Sequence, residues 1–149
     1  MKSASPLETT TLYLAIGPQQ LAALASTGYR CIEPGGRGEL LVLFKLTQRY
    51  AEMVARQRIL PKEGEAWVIR LEVGTAALAG IELSTVAYDE HLEYLVPVAS
   101  LTSLNAHLRG PVAVVSRFLP GESFSLTGGW HFKPGEGKVA ENIGLTNFS

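Results

Sequence analysis

The chain has 149 residues, 46% hydrophobic and 18% charged, a composition that excludes a disordered polyelectrolyte and suits one folded domain able to bury a full core. Thirteen basic against fourteen acidic side chains leave a net charge of -1, so no excess of cations exists to neutralise a run of phosphates, and nucleic-acid binding is disfavoured. Cys31 is the single cysteine, which excludes an internal disulfide and a cysteine-based zinc site within one chain.

The first residues, MKSASPLETTT, carry no apolar signal-peptide core, and no stretch approaches the ~20 apolar residues of a membrane helix. A reducing cytoplasmic setting is therefore expected, with residues 1–9 as a loose leader. The run Thr10 to Ile16 is β-branched, aromatic and aliphatic and stops at Gly17-Pro18, so a strand feeds a short helix over Pro18 to Ser26. Gly28 is the left-handed stop of that helix, and Tyr29 to Ile32 reads as a resumed strand. Glu33 to Gly38 is a turn or loop, and Glu39 to Phe44 a continuous apolar strand of the buried kind.

Thr47 can cap the next helix, in which Leu46, Tyr50, Met53 and Val54 share a face while Gln48, Arg49, Glu52 and Arg56 point away. Beyond Pro61 to Gly64, residues Glu65 to Val73 alternate, with Trp67, Ile69, Leu71 and Val73 on one side of a strand. A helical turn around Thr75 to Leu78 follows, then strands over Ile81 to Ala87 and Leu92 to Val98, a helix over Ser100 to Leu108 and a valine-rich strand over Pro111 to Phe118. From Leu119 glycine and proline punctuate every few residues, and Thr127-Gly-Gly-Trp130 reads as the turn of a hairpin ahead of His131-Phe132. The expected organisation is thus an α+β domain over 10–118 and a Gly/Pro-rich hairpin and tail over 119–149.

Several constellations could carry chemistry. Cys31 with His91 or His107 would supply a thiolate and its base, but Cys31 lies in an apolar pattern of the kind that packs a core. The three histidines have no short ligand spacing, and no metal site is expected. Gly35-Gly36-Arg37-Gly38 leads into a strand, whereas a phosphate cradle leads into a helix N-terminus. Asp89-Glu90-His91-x-Glu93 is the densest ionisable cluster and offers groups suited to general acid or base work. Alternation sets Leu92, Tyr94 and Val96 on one face of their strand and Glu93 with Leu95 on the other. A carboxylate inside a strand is partly withdrawn from water, so Glu93 is the residue expected to face a functional cleft.

Three stretches resemble the ADP-ribosyltransferase family: Leu12 to Ile16 followed by Gln20 to Leu24 and Gly28, Leu43-Phe44 with Thr47 to Ala55 behind it, and Glu93-Tyr94-Leu95-Val96-Pro97. The resemblance implies a split, mixed or antiparallel sheet with two to three short helices, NAD as the cofactor, and Glu93 as the catalytic glutamate. It makes Tyr13, Phe44 and Tyr50 the walls of the ligand cleft, with His91 beside them. The position that is His in the family is Leu14, and the second strand offers Leu43-Phe44 without a tyrosine hydroxyl. Apolar side chains there cannot make the bonds that fix a nicotinamide ribose, so the resemblance implies a scaffold whose cleft is altered, either inactive toward NAD or adapted to another small-molecule ligand. Were the chain an enzyme, ADP-ribosyl or a related phosphoribosyl transfer is the class implied. The competing expectation is a non-catalytic module that binds a protein partner or its own copy through the Trp130-His131-Phe132 hairpin.

Overall fold

The computed structural model describes residues 8–35, 38–85, 91–121, 124–125 and 129–130. Strand β1 (Thr9–Ile16) takes in the last residue of the expected leader and leads through Gly17 into α1 (Pro18–Ser26), with Pro18 opening the helix. Strand β2 (Leu41–Lys45) is followed by α2 (Gln48–Val54), a widened turn over Ala55–Ile59, and α3 (Leu60–Glu63). Then come β3 (Ala66–Gly74), a tight turn over Thr75–Leu78, β4 (Glu82–Thr85), β5 (Leu92–Pro97), α4 (Leu101–Ala106) and β6 (Ala113–Phe118).

The fold class is α+β, as expected: a single sheet of order β4-β5-β2-β1-β3-β6 in which every pairing is antiparallel. Two short strands, β7 (Phe124–Ser125) and β8 (Gly129–Trp130), continue it beyond β6. Of the expected turn Thr127 to Trp130, Gly129 and Trp130 fall in β8, while Thr127 and Gly128, with Leu126 before them and everything from His131 onward, including Phe132, lie outside the described residues. So do residues 1–7, 36–37, 86–90 and 122–123, and with them Asp89 and Glu90.

The ladders are unequal. Strand β1 pairs with β3 along eight registered positions, and β2 with β5 along five. By contrast β1 and β2 meet at one registered pair, Tyr13 and Lys45. The sheet is therefore two well-laddered halves, β4-β5-β2 and β1-β3-β6, joined at a narrow seam.

Both faces are covered, for reasons visible in the alternation. One carries Leu12, Leu14, Ile16, Val42, Phe44, Ile69, Leu71 and Val96, roofed by Leu24 of α1 and by Leu101 and Leu104 of α4. The other carries Ala66, Val68, Val115 and Phe118 beneath Ala51 of α2 and Ala55 of the turn after it. Strand β3 thus has both faces covered over its first half, where the alternating pattern suggested one covered face.

Thr47 caps α2 as its sequence indicates, its hydroxyl accepting from the Tyr50 N–H at 3.2 Å. The widened turn after α2 ends two residues before Pro61, whose ring would clash with the carbonyl four residues back, that of Gln57 within the turn, in a regular helix. Gly64, at φ 86°, then ends α3 in the left-handed region. Tyr29 to Ile32 is not a ladder strand. Gly28 (φ 70°) and Tyr29 (φ 65°) are both left-handed, and the backbone that follows finds partners elsewhere. Tyr29 C=O accepts from Val112 N–H at 2.7 Å, and Ile32 is held by the Asn105 side chain.

Candidate functional site

One row of residues crosses the seam. Ser84 of β4 pairs with Glu93 of β5, Glu93 with Lys45 of β2, Lys45 with Tyr13 of β1, and Tyr13 with Arg70 of β3. Directly opposed residues on antiparallel strands project to the same face, so this row lies on the side of the sheet covered by α2. Leu14 and Phe44, one residue out of step, lie on the other.

The centre of the row is an ion pair out of contact with water. Lys45 Nζ donates to Glu93 Oε1 at 2.9 Å and to the Leu43 carbonyl at 3.0 Å. The two residues are only 5% and 7% exposed, so neither charge is met by bulk solvent and each depends on the other. Tyr50, on the inner face of α2, donates its hydroxyl to the same Glu93 oxygen at 3.3 Å. Its ring lies 5.3 Å from Lys45 Nζ and stacks on His91, with centroids 4.6 Å apart and planes 9° from parallel. The Thr47 cap positions this tyrosine, because it fixes the first turn of the helix on which Tyr50 sits.

The electrostatics follow from burial. Withdrawal from water pulls the Lys45 ammonium below its ordinary value, against the hydrogen bond and charge of Glu93, with the Arg58 guanidinium pushing the same way as burial. Burial likewise raises the Tyr50 phenol, aided by the charge of Glu93 and by the hydrogen bond to it. Tyr50 is therefore a protonated donor at neutral pH.

Of the residues expected at a site, Glu93, Tyr50 and His91 come together, and Tyr13 shares their row, half-buried. Phe44 does not join them: it is 0% exposed within the apolar core on the opposite face. Beside Leu14, on that face, is a depression of about 10 Å³ lined by Leu14, Ile16, Gln20, Leu24, Ile32, Glu33 and Ile69, with room for no more than a single water. Lys45 is the member that the sequence reading missed. The signal was present: a lysine between Phe44 and Leu46 in an apolar run requires a buried partner, and Glu93 is the carboxylate with the same requirement.

Elsewhere, Cys31 is half-buried and its Sγ lies 4.0 Å from the Ile32 carbonyl, while His107 Nδ1 lies 2.8 Å from the Ser103 carbonyl. Among the described residues no group of three or more His, Cys, Asp or Glu side chains is placed to hold a metal ion, and no helix is long and apolar enough to cross a membrane. Comparison of the chain with protein-family models, with curated proteins and with solved structures finds no match.

Chemically, the arrangement commits one oxygen of Glu93: Oε1 accepts from both Lys45 and Tyr50, and the Lys45 ammonium balances the charge that a general base would use.

Proposed function

We propose that the chain is a scaffold of the ADP-ribosyltransferase type whose cleft does not act on NAD, and that it works as a non-catalytic module. The observation that carries this reading is the Lys45–Glu93 ion pair beneath Tyr50. The glutamate that the resemblance makes catalytic is neutralised by a neighbour on the next strand.

Support for the scaffold comes from the strand order. The three strands to which the resemblance assigns a site, β1, β2 and β5, are neighbours in the order β5-β2-β1, with the seam between β2 and β1. Support for the altered cleft comes from the faces. Leu14 and Phe44 project away from Glu93 into the core and are apolar, so they neither reach a ligand at Glu93 nor bond a ribose hydroxyl. The residues present do not fit NAD.

The test is to incubate the purified protein with NAD, alone and with protein or nucleic-acid acceptors, and to measure released nicotinamide together with the melting temperature at millimolar NAD. The expected result is no release above buffer and no shift, since a ligand that binds the folded state raises its melting temperature. Nicotinamide release, or a melting temperature that rises with NAD, would overturn the proposal.

A further inference from the structure

We infer that Tyr50 is a latch: it holds α2 against the β4-β5-β2 half of the sheet, and its release opens the seam on that face and admits water and solutes to Lys45 and Glu93. The inference is independent of the family reading of Glu93, since it concerns access to the ion pair and not its chemistry.

The packing of α2 is one-sided. Ala51, and Ala55 of the turn after the helix, are buried in a cluster with Ala66 and Val68 of β3 and Val115 and Phe118 of β6. Among the described residues that cluster has no member from β2, β4 or β5. Polar bonds hold the helix to the same half of the sheet: Gln48 Nε2 donates to the Ser116 hydroxyl of β6 at 3.2 Å, and that hydroxyl donates to the Glu52 carboxylate. Ser116 is 0% exposed, so water does not compete for its hydroxyl.

Tyr50 turns to the other half. Its hydroxyl donates to Glu93 of β5, its ring lies beside Lys45 Nζ of β2, and it stacks on His91, the residue before β5. A helix seated on the β1-β3-β6 half thus grips the β4-β5-β2 half with an aromatic side chain, itself buried.

The seam beneath this grip is the weak line of the sheet, since β1 and β2 share the single registered pair Tyr13 and Lys45. On the opposite face Val42, Phe44 and Val96 from one half pack in one cluster with Leu12, Leu14 and Ile69 from the other. The two halves therefore hinge about that apolar face, which stays covered while the α2 side parts. Parting on the α2 side breaks the Tyr50 hydrogen bond and its stack on His91, and it uncovers Lys45 Nζ. That amine is the atom whose reactivity reports the opening.

The test uses the full chain, treated at neutral pH with the acetyl ester of N-hydroxysuccinimide. Acetylation at each lysine is read by peptide mass spectrometry, with the exposed Lys62 as internal standard. Hydrogen exchange of the β1 and β3 amides, measured alongside, reports global unfolding. Lys45 should react far more slowly than Lys62, yet faster than global unfolding allows. Tyr50→Phe, which keeps the ring and loses the hydroxyl, should speed Lys45 about tenfold, the order expected for losing a hydrogen bond to a charged group, and leave Lys62 unchanged. Tyr50→Ala, which also loses the stack, should speed it more. Asn105→Ala separates the latch from general destabilisation, because the bonds between Asn105 and Ile32 lie on the hinge side and remain made when the seam parts. It should speed exchange in β1 and β3 and leave Lys45 unchanged. Circular dichroism of each variant confirms that it is folded. Lys45 reacting only as fast as global unfolding allows, an Asn105→Ala variant in which Lys45 speeds as much as the β1 and β3 amides, or an unchanged Lys45 rate in both Tyr50 variants would each overturn the inference.

Discussion

Lys45 and Glu93 each sit in an apolar strand, and neither has a solvent shell to fall back on. The pair is therefore weak evidence of net stabilisation but strong evidence of mutual dependence: removing one partner of a buried pair costs about 3–5 kcal/mol, because the other charge is left uncompensated. Glu93→Gln and Lys45→Met are each expected to lower the unfolding free energy measured in urea by that order. The double variant should lose far less than the sum, since Gln at position 93 still accepts from Tyr50 and no charge remains. Strict additivity in that cycle would show that the two side chains do not act as a pair. Tyr50 supplies a second, pH-dependent expectation. Its phenol is raised in the folded state, so the folded form keeps the proton longer than the unfolded one; the stability this contributes is complete below the ordinary value near 10 and is lost as pH rises through the folded value. Lys45, lowered by burial, works in the opposite sense: its penalty is relieved as pH rises from its folded value toward 10.5. Comparing the wild type with Tyr50→Phe cancels the lysine to first order. The difference in stability between the two should shrink above pH 10, and a difference that is flat with pH would contradict the assignment. At this scale the placement of Glu93 inside a strand was legible from alternation, whereas Lys45, one residue beyond the expected strand end at Phe44, was passed over because its partner lies 48 residues away.

The elements that the sequence specified are those with local causes. The helix behind Thr47 has its cap written within a short stretch, and the structure keeps it, but the covered face is Tyr50, Ala51 and Ala55 rather than Leu46, Tyr50, Met53 and Val54, and Gln48 and Glu52, expected to point away, bond Ser116 of β6. What could not be read locally was the segment from Tyr29 to Ile32. Its composition suits a strand, but a strand exists only where a ladder partner is available. Here the partner is a side chain: Asn105 Oδ1 accepts from the Ile32 N–H at 2.8 Å and Asn105 Nδ2 donates to the Ile32 carbonyl at 3.0 Å, so one amide imitates a β-bridge. Ile32 is only 4% exposed, and water is poorly placed to replace either bond. Asn105→Ala should therefore cost about 2 kcal/mol, the order expected for leaving buried backbone polar groups unpaired. Asn105→Asp, which keeps the acceptor and loses the donor, should not restore wild-type stability. A loss below about 0.5 kcal/mol in the alanine variant would mean that Ile32 finds other partners and that the clamp does not hold the segment.

The division of the molecule into two half-sheets is a tertiary property that no periodicity announces, because it depends on how far β1 and β2 run side by side. Each strand is legible by itself, but the single registered contact between Tyr13 and Lys45 is not. This arrangement has a consequence for dynamics. Cooperative opening follows the density of pairing and packing, and units with few connections to the remainder open at lower free energy than the centre. The eight-position ladder between β1 and β3, flanked by β6 and covered on both faces, is that centre. Strands β4, β5 and β2 are laddered to one another along four and five positions but reach β1 at one, and the polar row through Lys45 and Glu93 lies at the junction. Native-state hydrogen exchange should accordingly give two groups of amides. Those of β1 and β3 should exchange only through global unfolding, with a denaturant dependence that matches the equilibrium slope; those of β5 and β2 should share a lower opening free energy and a smaller slope. Lys45→Met should lower the opening free energy of the second group at least as much as that of the first, since it removes the ion pair beside the seam. If the amides of β2 and β5 instead exchange only with global unfolding, at the same free energy as those of β1 and β3, the sheet opens as one unit and the narrow contact at Tyr13 is no hinge.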